Sequence, residues 1–217
     1  MARYSGSSWR SYRPEAAVPA AATERRGISA QCRILGLDPG SIRTGYGLID
    51  CDAGGERHVG HGCIQAGGGD FLGRLRLIFD AVVALIAEHR PDEIAIERVF
   101  VHRNPDSALK LGQARGAAIC AAVGLGASAH EYAPRAIKLA VSGYGAADKA
   151  QIAQMVTTLL RLERRPGADA ADALAVALCH AQTRRLAALL GGAPAVSRAG
   201  RAARSDARPV ARPGVRP

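Results

Sequence analysis

Apolar positions along this chain recur at two periods, and each change of period marks the edge of an element. Cys32–Asp38 is a short apolar run stopped by Asp38-Pro39-Gly40, the composition of a strand feeding a turn. Thr44–Asp50 and His58–Ala66 predict two more strands. The short link between them, with Gly54 and Gly55, predicts antiparallel pairing. From Asp70 the period becomes helical: Leu72, Leu75, Ile78, Phe79, Val82, Leu85 and Ile86 share one stripe, and Pro91 ends it. Glu93–Glu97 predicts a fourth strand, Ser107–Val123 a helix of small residues, and Ser128–Tyr132 a fifth strand. Pro134–Val141, Lys149–Leu160 and Asp169–Leu189 predict three further helices. Three strands followed by alternating helix and strand predict an α/β fold, a mixed five-stranded sheet flanked by helices.

The periodicity fails at both ends. Residues 1–31 are rich in Ala, Ser and Arg and are expected to be a disordered extension; residues 189–217, rich in Gly, Ala, Pro and Arg, a disordered tail. One folded domain, residues 32–188, remains, and at 48% hydrophobic residues the chain can bury a core. No apolar stretch is long enough to span a bilayer and none follows the early arginines as a secretory signal would, so no membrane partner is expected. Five cysteines without a C-x-x-C spacing predict reduced thiols and a cytoplasmic setting. The net charge of +10 invites a nucleic-acid reading, but the flanks carry all of it and residues 32–180 are neutral overall. DNA binding by the domain therefore needs a local patch.

Four carboxylates fall where strands end or a helix begins. Asp38 closes the first strand, Glu97 the fourth, and Asp169 and Asp172 open the last helix, three residues apart on one face. A hard divalent cation needs several oxygen ligands, and two such ions can align a water and stabilise the leaving oxygen of a phosphodiester. Each acid also has a plain reading. Asp38-Pro39-Gly40 suits a simple turn, Glu97 a solvated strand end, and Asp169 with Asp172 a helix N-cap with an acid at its third position. Ile34-Leu35-Gly36-Leu37 before Asp38, and Ile94-Ala95-Ile96 before Glu97, make these two acids the tips of buried strands.

Taken together the segments resemble the RuvC family, which has the ribonuclease H-like fold. The resemblance covers nearly all of residues 33–184. It is carried by Ile34-Leu35-Gly36-Leu37-Asp38-Pro39-Gly40-Ser41, Thr44-Gly45-Tyr46-Gly47, Ala95-Ile96-Glu97, the helix from Asp106 to Gly116 (DSALKLGQARG), and Ala168-Asp169-Ala170-Ala171-Asp172-Ala173-Leu174-Ala175. It implies a Holliday-junction resolvase in which Asp38, Glu97, Asp169 and Asp172 bind metal and catalyse. The expected cofactor is Mg²⁺, two ions per subunit, with Mn²⁺ as a substitute. It further implies that Phe100 stacks on bases near the junction, that Lys138 and Lys149 approach the cleaved backbone, and that Arg103 contacts DNA. The implied partners are four-way junction DNA, a second copy in a homodimer, and the RuvA–RuvB branch-migration complex. Two features depart from the family pattern: Arg98 stands where Gln is expected, and His102-Arg103 where a Lys is expected. Both bear on sequence preference rather than hydrolysis.

The supporting residues have plain readings too. Lys138 and Lys149 suit solvated helix positions; Phe100 suits a core, although Arg98, His102, Arg103 and Asn104 around it suggest a polar loop. Gly112 and Gly116 suit tight packing within the fold or the approach of two helices across a dimer axis; His180 reads as structural. Rival functions are an RNA–DNA hybrid hydrolase or transposase with the same acids, a phosphotransferase with a strand–Asp turn, and a non-catalytic DNA-binding protein.

Overall fold

The computed structural model describes residues 31–98 and 104–190. In chain order the elements are β1 (Cys32–Asp38), β2 (Arg43–Asp52), β3 (Gly55–Gln65), α1 (Phe71–His89), β4 (Glu93–Glu97), α2 (Pro105–Gly124), β5 (Ser128–Tyr132), α3 (Pro134–Ser142), α4 (Lys149–Leu159) and α5 (Ala168–Leu189). The sheet order is β3-β2-β1-β4-β5. β1, β2 and β3 pair antiparallel, whereas β4 lies parallel to both β1 and β5. The mixed sheet is therefore as the periodicity predicts. β2 and β3 extend further toward their shared turn than the apolar pattern suggests. There Cys51 pairs with Glu56 and Asp52 with Gly55, and polar residues in a ladder leave no apolar trace.

Local chemistry sets the helix ends. Asp70 caps α1 by accepting the N–H of Gly73 at 2.6 Å. At its other end Arg90 turns left-handed (φ 47°) and donates its N–H to the Ile86 carbonyl, as Pro91 cannot continue the helix. Asn104 caps α2, and Asp148 with Gln151 forms a reciprocal capping box on α4.

The central strands are buried on both faces, which is why they read as unbroken apolar runs. Ile34 and Ile49 face a core with Leu174 and Leu178 of α5, Ile137 of α3 and Val156 of α4. Leu35, Leu37 and Ile96 face the other, with Ile78 and Val82 of α1 and Ala114 and Ala118 of α2. α5 lies unusually close to the sheet. Gly36 and Gly47 are partners across β1 and β2, and a Cβ on Gly36 would sit 2.1 Å from the Ala173 carbonyl oxygen. The glycines form a bed for α5, whose alanines meet it without spacers. No described helix is long and apolar enough to cross a membrane.

Candidate active site

The tips of two parallel strands define the site. β1 and β4 pair with Leu37 opposite Ile96, so the next residues, Asp38 and Glu97, emerge together. Their carboxyl groups lie close enough for each to act on the other. Burial, followed by the negative charge of Asp172, raises Asp38 to about 6. Burial, followed by the charge of Asp38, raises Glu97 to about 7. Two carboxylates in a half-buried space cannot both ionise cheaply, and the charge of Asp172 raises both.

The first turn of α5 supplies the other two acids. Its N-cap is Gly167, with no side-chain cap. The sequence allowed Asp169 to be the cap with Asp172 three positions on; the structure overturns this. Asp169 is the second residue inside the helix, so neither carboxylate is taken up by capping. The charge of Asp172 acts on both Asp38 and Glu97, which places these three acids in one field. Asp169 also raises Asp38. The Lys149 ammonium lies 2.8 Å from Asp172 Oδ2 and pulls the Asp38 and Glu97 pKa values down, against the net rise. Lys149 thus stands at the site, at the start of α4, with its side chain 80% exposed. A cleft of about 280 Å³ opens beside Asp172, lined also by Lys149, Arg165 and Pro166.

The other expected DNA contacts divide. Lys138 is half-buried on α3, and its ammonium pairs with no carboxylate among the described residues. Phe100 and Arg103 lie outside the described residues. Arg98, the first departure, is tied into the fold: its N–H donates to the Tyr132 carbonyl at 2.7 Å, and its guanidinium lies 3.5 Å from Glu131. Arg115 also pairs with Glu131 and donates to the Glu97 carbonyl oxygen at 3.2 Å, bracing the strand tip from α2. Residue periodicity holds no signal for these contacts. Cys63 and Arg43, which meet Asp169 at 3.5 Å and 3.8 Å, escaped notice for the same reason.

A second titratable cluster lies at the opposite end of β4. Glu93, His130 and His180 bring ligand-type atoms within 4.8 Å of one another. Glu93 is already matched by a hydrogen bond to His180 Nε2 and by Arg184 Nη1 at 3.2 Å, while the Tyr132 hydroxyl meets His180 Nδ1 at 2.6 Å. The buried guanidinium makes this an internal ion-pair network that ties α5 to β4 and β5, and His180 is structural as its sequence position suggests. The all-oxygen set at the strand tips is the one that suits a hard divalent cation. A cation there would relieve the repulsion that now raises Asp38 and Glu97.

A mixed five-stranded sheet in the order β3-β2-β1-β4-β5, flanked by helices and with acids at the tips of its adjacent parallel strands, has the ribonuclease H-like architecture. The chain belongs to the RuvC family: the family model for "Crossover junction endodeoxyribonuclease RuvC" matches residues 34–180. It is 55% identical over 148 residues to the crossover junction endodeoxyribonuclease of Alkalilimnicola ehrlichii, covering 68% of this chain and 90% of that one. It is 51% identical over 168 residues to that of Aliivibrio salmonicida, covering 77% and 97%. Among solved structures, Thermus thermophilus RuvC in complex with a Holliday junction substrate superposes with a TM-score of 0.67 at 32% identity, covering 71% of this chain and 96% of that one. The yeast mitochondrial Holliday junction resolvase Ydc2 shares the fold at 15% identity and a TM-score of 0.54. The protein is a crossover junction endodeoxyribonuclease, and nucleases of its family depend on metal.

Proposed function

We propose that this enzyme resolves four-way DNA junctions by paired, Mg²⁺-dependent nicks in opposed strands, with Asp38, Glu97, Asp169 and Asp172 holding the metal. The observation that carries the reading is the placement of Asp38 and Glu97 at adjacent parallel strand tips beside Asp172, where burial and repulsion among the acids raise both carboxyl groups. Mg²⁺, two ions per subunit or Mn²⁺ in their place, supplies the Lewis acidity that polarises the scissile phosphodiester and activates a water. A cation held at the strand tips would favour the ionised forms of Asp38 and Glu97. Lys149, exposed and beside Asp172, would offer its ammonium to a backbone phosphate at this site; Lys138 and Arg103 contact the DNA further out. Phe100 stacks on a base exposed at the opened junction centre.

The reading extends to a homodimer. Leu109, Gly112, Gly116, Cys120 and Val123 recur along one side of α2, with Leu109 67% and Val123 58% exposed. A Cβ on Gly112 or Gly116 would meet nothing within 4 Å, so packing inside this fold does not account for the glycines. A second copy of α2 does, and two-fold symmetry suits symmetrical cuts. The enzyme works in the cytoplasm with the RuvA–RuvB complex, and residues 1–31 and 189–217 flank a nuclease domain of residues 32–188.

The test is a synthetic mobile four-way junction incubated with purified protein, with and without Mg²⁺. Asp38→Asn, Glu97→Gln, Asp169→Asn and Asp172→Asn each slow cutting by roughly a hundredfold or more, since losing a ligand costs more than the 10–100-fold of losing its outer support. Junction binding survives in all four. A variant that cuts at the wild-type rate removes its residue from the metal set.

A further inference from the structure

We propose that Cys63 is a positioning residue for the nuclease centre: its thiol fixes one oxygen of Asp169 and so presents the other to the metal. This rests on the reading of Asp169 as a metal ligand.

The geometry begins with a glycine. Gly45 of β2 and Cys63 of β3 are cross-strand partners, so their side-chain positions share one face of the sheet. Gly45 has nothing to place there, and the backbone of α5 takes the space: a Cβ on Gly45 would fall 1.9 Å from the carbonyl oxygen of Asp169. Seated so low, Asp169 directs its carboxylate to the next strand. There the Cys63 thiol donates to Asp169 Oδ2 at 3.5 Å. The thiol sulfur accepts in turn from Gln65 Nε2 at 3.4 Å, and its one proton has the Ile64 carbonyl as a second, longer acceptor at 3.8 Å, so the contact to Asp169 Oδ2 is the shorter of the two. Arg43 Nη1 lies 3.8 Å from the same oxygen. The thiol and guanidinium contacts converge on Oδ2, and neither takes Oδ1.

A thiol is a weak donor, so the contact adds little to folding and acts by orientation. Ligating carboxylates are commonly held this way by an outer partner, whose loss weakens metal binding about 10–100-fold. Cys63 reaches across the sheet from an edge strand that carries none of the four acids.

The full-length protein tests this with Cys63→Val, which keeps the volume without a donor, and Cys63→Ser, which keeps a donor. Two quantities are measured: the Mg²⁺ concentration for half-maximal junction cleavage, and Mn²⁺ affinity by calorimetry without DNA. Cys63→Val raises the Mg²⁺ requirement and weakens Mn²⁺ binding by about tenfold. The cleavage rate at saturating Mg²⁺ stays within about threefold of wild type and the melting temperature is unchanged. Cys63→Ser restores metal affinity to within about threefold of wild type. Unchanged metal dependence in Cys63→Val, or equal loss in Val and Ser variants, overturns the positioning role. Asp169→Asn is run alongside: if it binds and uses metal normally, the assignment of Asp169 fails, and the role of Cys63 with it. If it is inactive while Cys63→Val is normal, only the role of Cys63 fails.

Discussion

Asp38 shows how a single side chain bears the cost of crowding acids at a strand tip. Burial and the Asp172 charge hold it at about 6, against 3.8 for a free aspartate, and burial with the Asp38 charge holds Glu97 at about 7 against 4.5 for a free glutamate. Between those limits the folded chain binds more protons than the unfolded one. Without metal, these two groups therefore make stability fall as pH rises from about 4 to about 7. The buried network at the other end of β4 acts in the opposite sense. Burial, above all, depresses His130 to about 4, so the unfolded chain binds its proton first and stability rises with pH from about 4 to 6.5. Despite burial, the hydrogen bond from His180 lowers Glu93, whose contribution is lost as acid protonates it. Comparing wild type with Asp38→Asn separates the two ends. In EDTA at pH 7 the variant is the more stable protein, by on the order of 2 kcal/mol, and its melting temperature declines less between pH 4.5 and 7. Added Mg²⁺ raises the melting temperature of wild type and not of the variant. A variant that melts below wild type in EDTA at pH 7 would show that the carboxylates are not in conflict.

At the scale of elements, the decisive contact is α5 on the glycine bed of β1 and β2. Gly45→Ala must lift the first turn of α5, because the new methyl group overlaps the Asp169 carbonyl. The expected cost is about 1–3 kcal/mol, as for other overpacked positions. Cleavage is expected to fall by more than tenfold at temperatures where the variant remains folded, since both acids of α5 move with the turn. A melt and a cleavage assay on one preparation check this; full activity in a destabilised variant would mean the turn can shift without disturbing the acids. Much of this scale was legible beforehand. β1, β4 and β5 have the limits their apolar runs predict, and Asp38 and Glu97 could be placed at strand tips because buried strands leave a continuous signal. At the start of α5 the sequence left an Asp cap open beside the metal reading, since Gly167 is silent as a capping side chain. The partners of Asp169 were illegible for a deeper reason. Cys63 lies 106 residues away, and only the register of β2 on β3, with α5 seated on Gly45, brings the two together. Glu131 with Arg98 and Arg115, and His180 with Glu93 and Tyr132, are likewise pairings of the folded chain.

At the scale of the whole molecule, the question is what the outer side of α2 is for. Its inner side packs Ala114, Ala118, Ala121 and Ala122 into the core against α1, and this accounts for the small residues there. The outer stripe has no such account within one copy. Glycine inside a helix costs about 1 kcal/mol relative to alanine, and Gly112 and Gly116 have open space where a side chain would go. Gly116→Ala is therefore expected to leave the isolated fold intact or slightly stabler, by up to about 1 kcal/mol. Gly116→Arg is the sharper test. A Cβ there meets nothing within 4 Å in its own copy, so the monomer is expected to fold with a melt no lower than that of the unsubstituted fold, but two such arginines on facing helices exclude each other by bulk and charge. Sedimentation at micromolar concentration should give a dimer for wild type and a monomer for Gly116→Arg. On a junction tethered within a small circular DNA, wild type should make paired nicks that linearise the circle, while the variant leaves single unpaired nicks at a much lower rate. A Gly116→Arg protein that still sediments as a dimer and cuts in pairs would move the two-fold contact to another surface and leave the glycines of α2 unexplained.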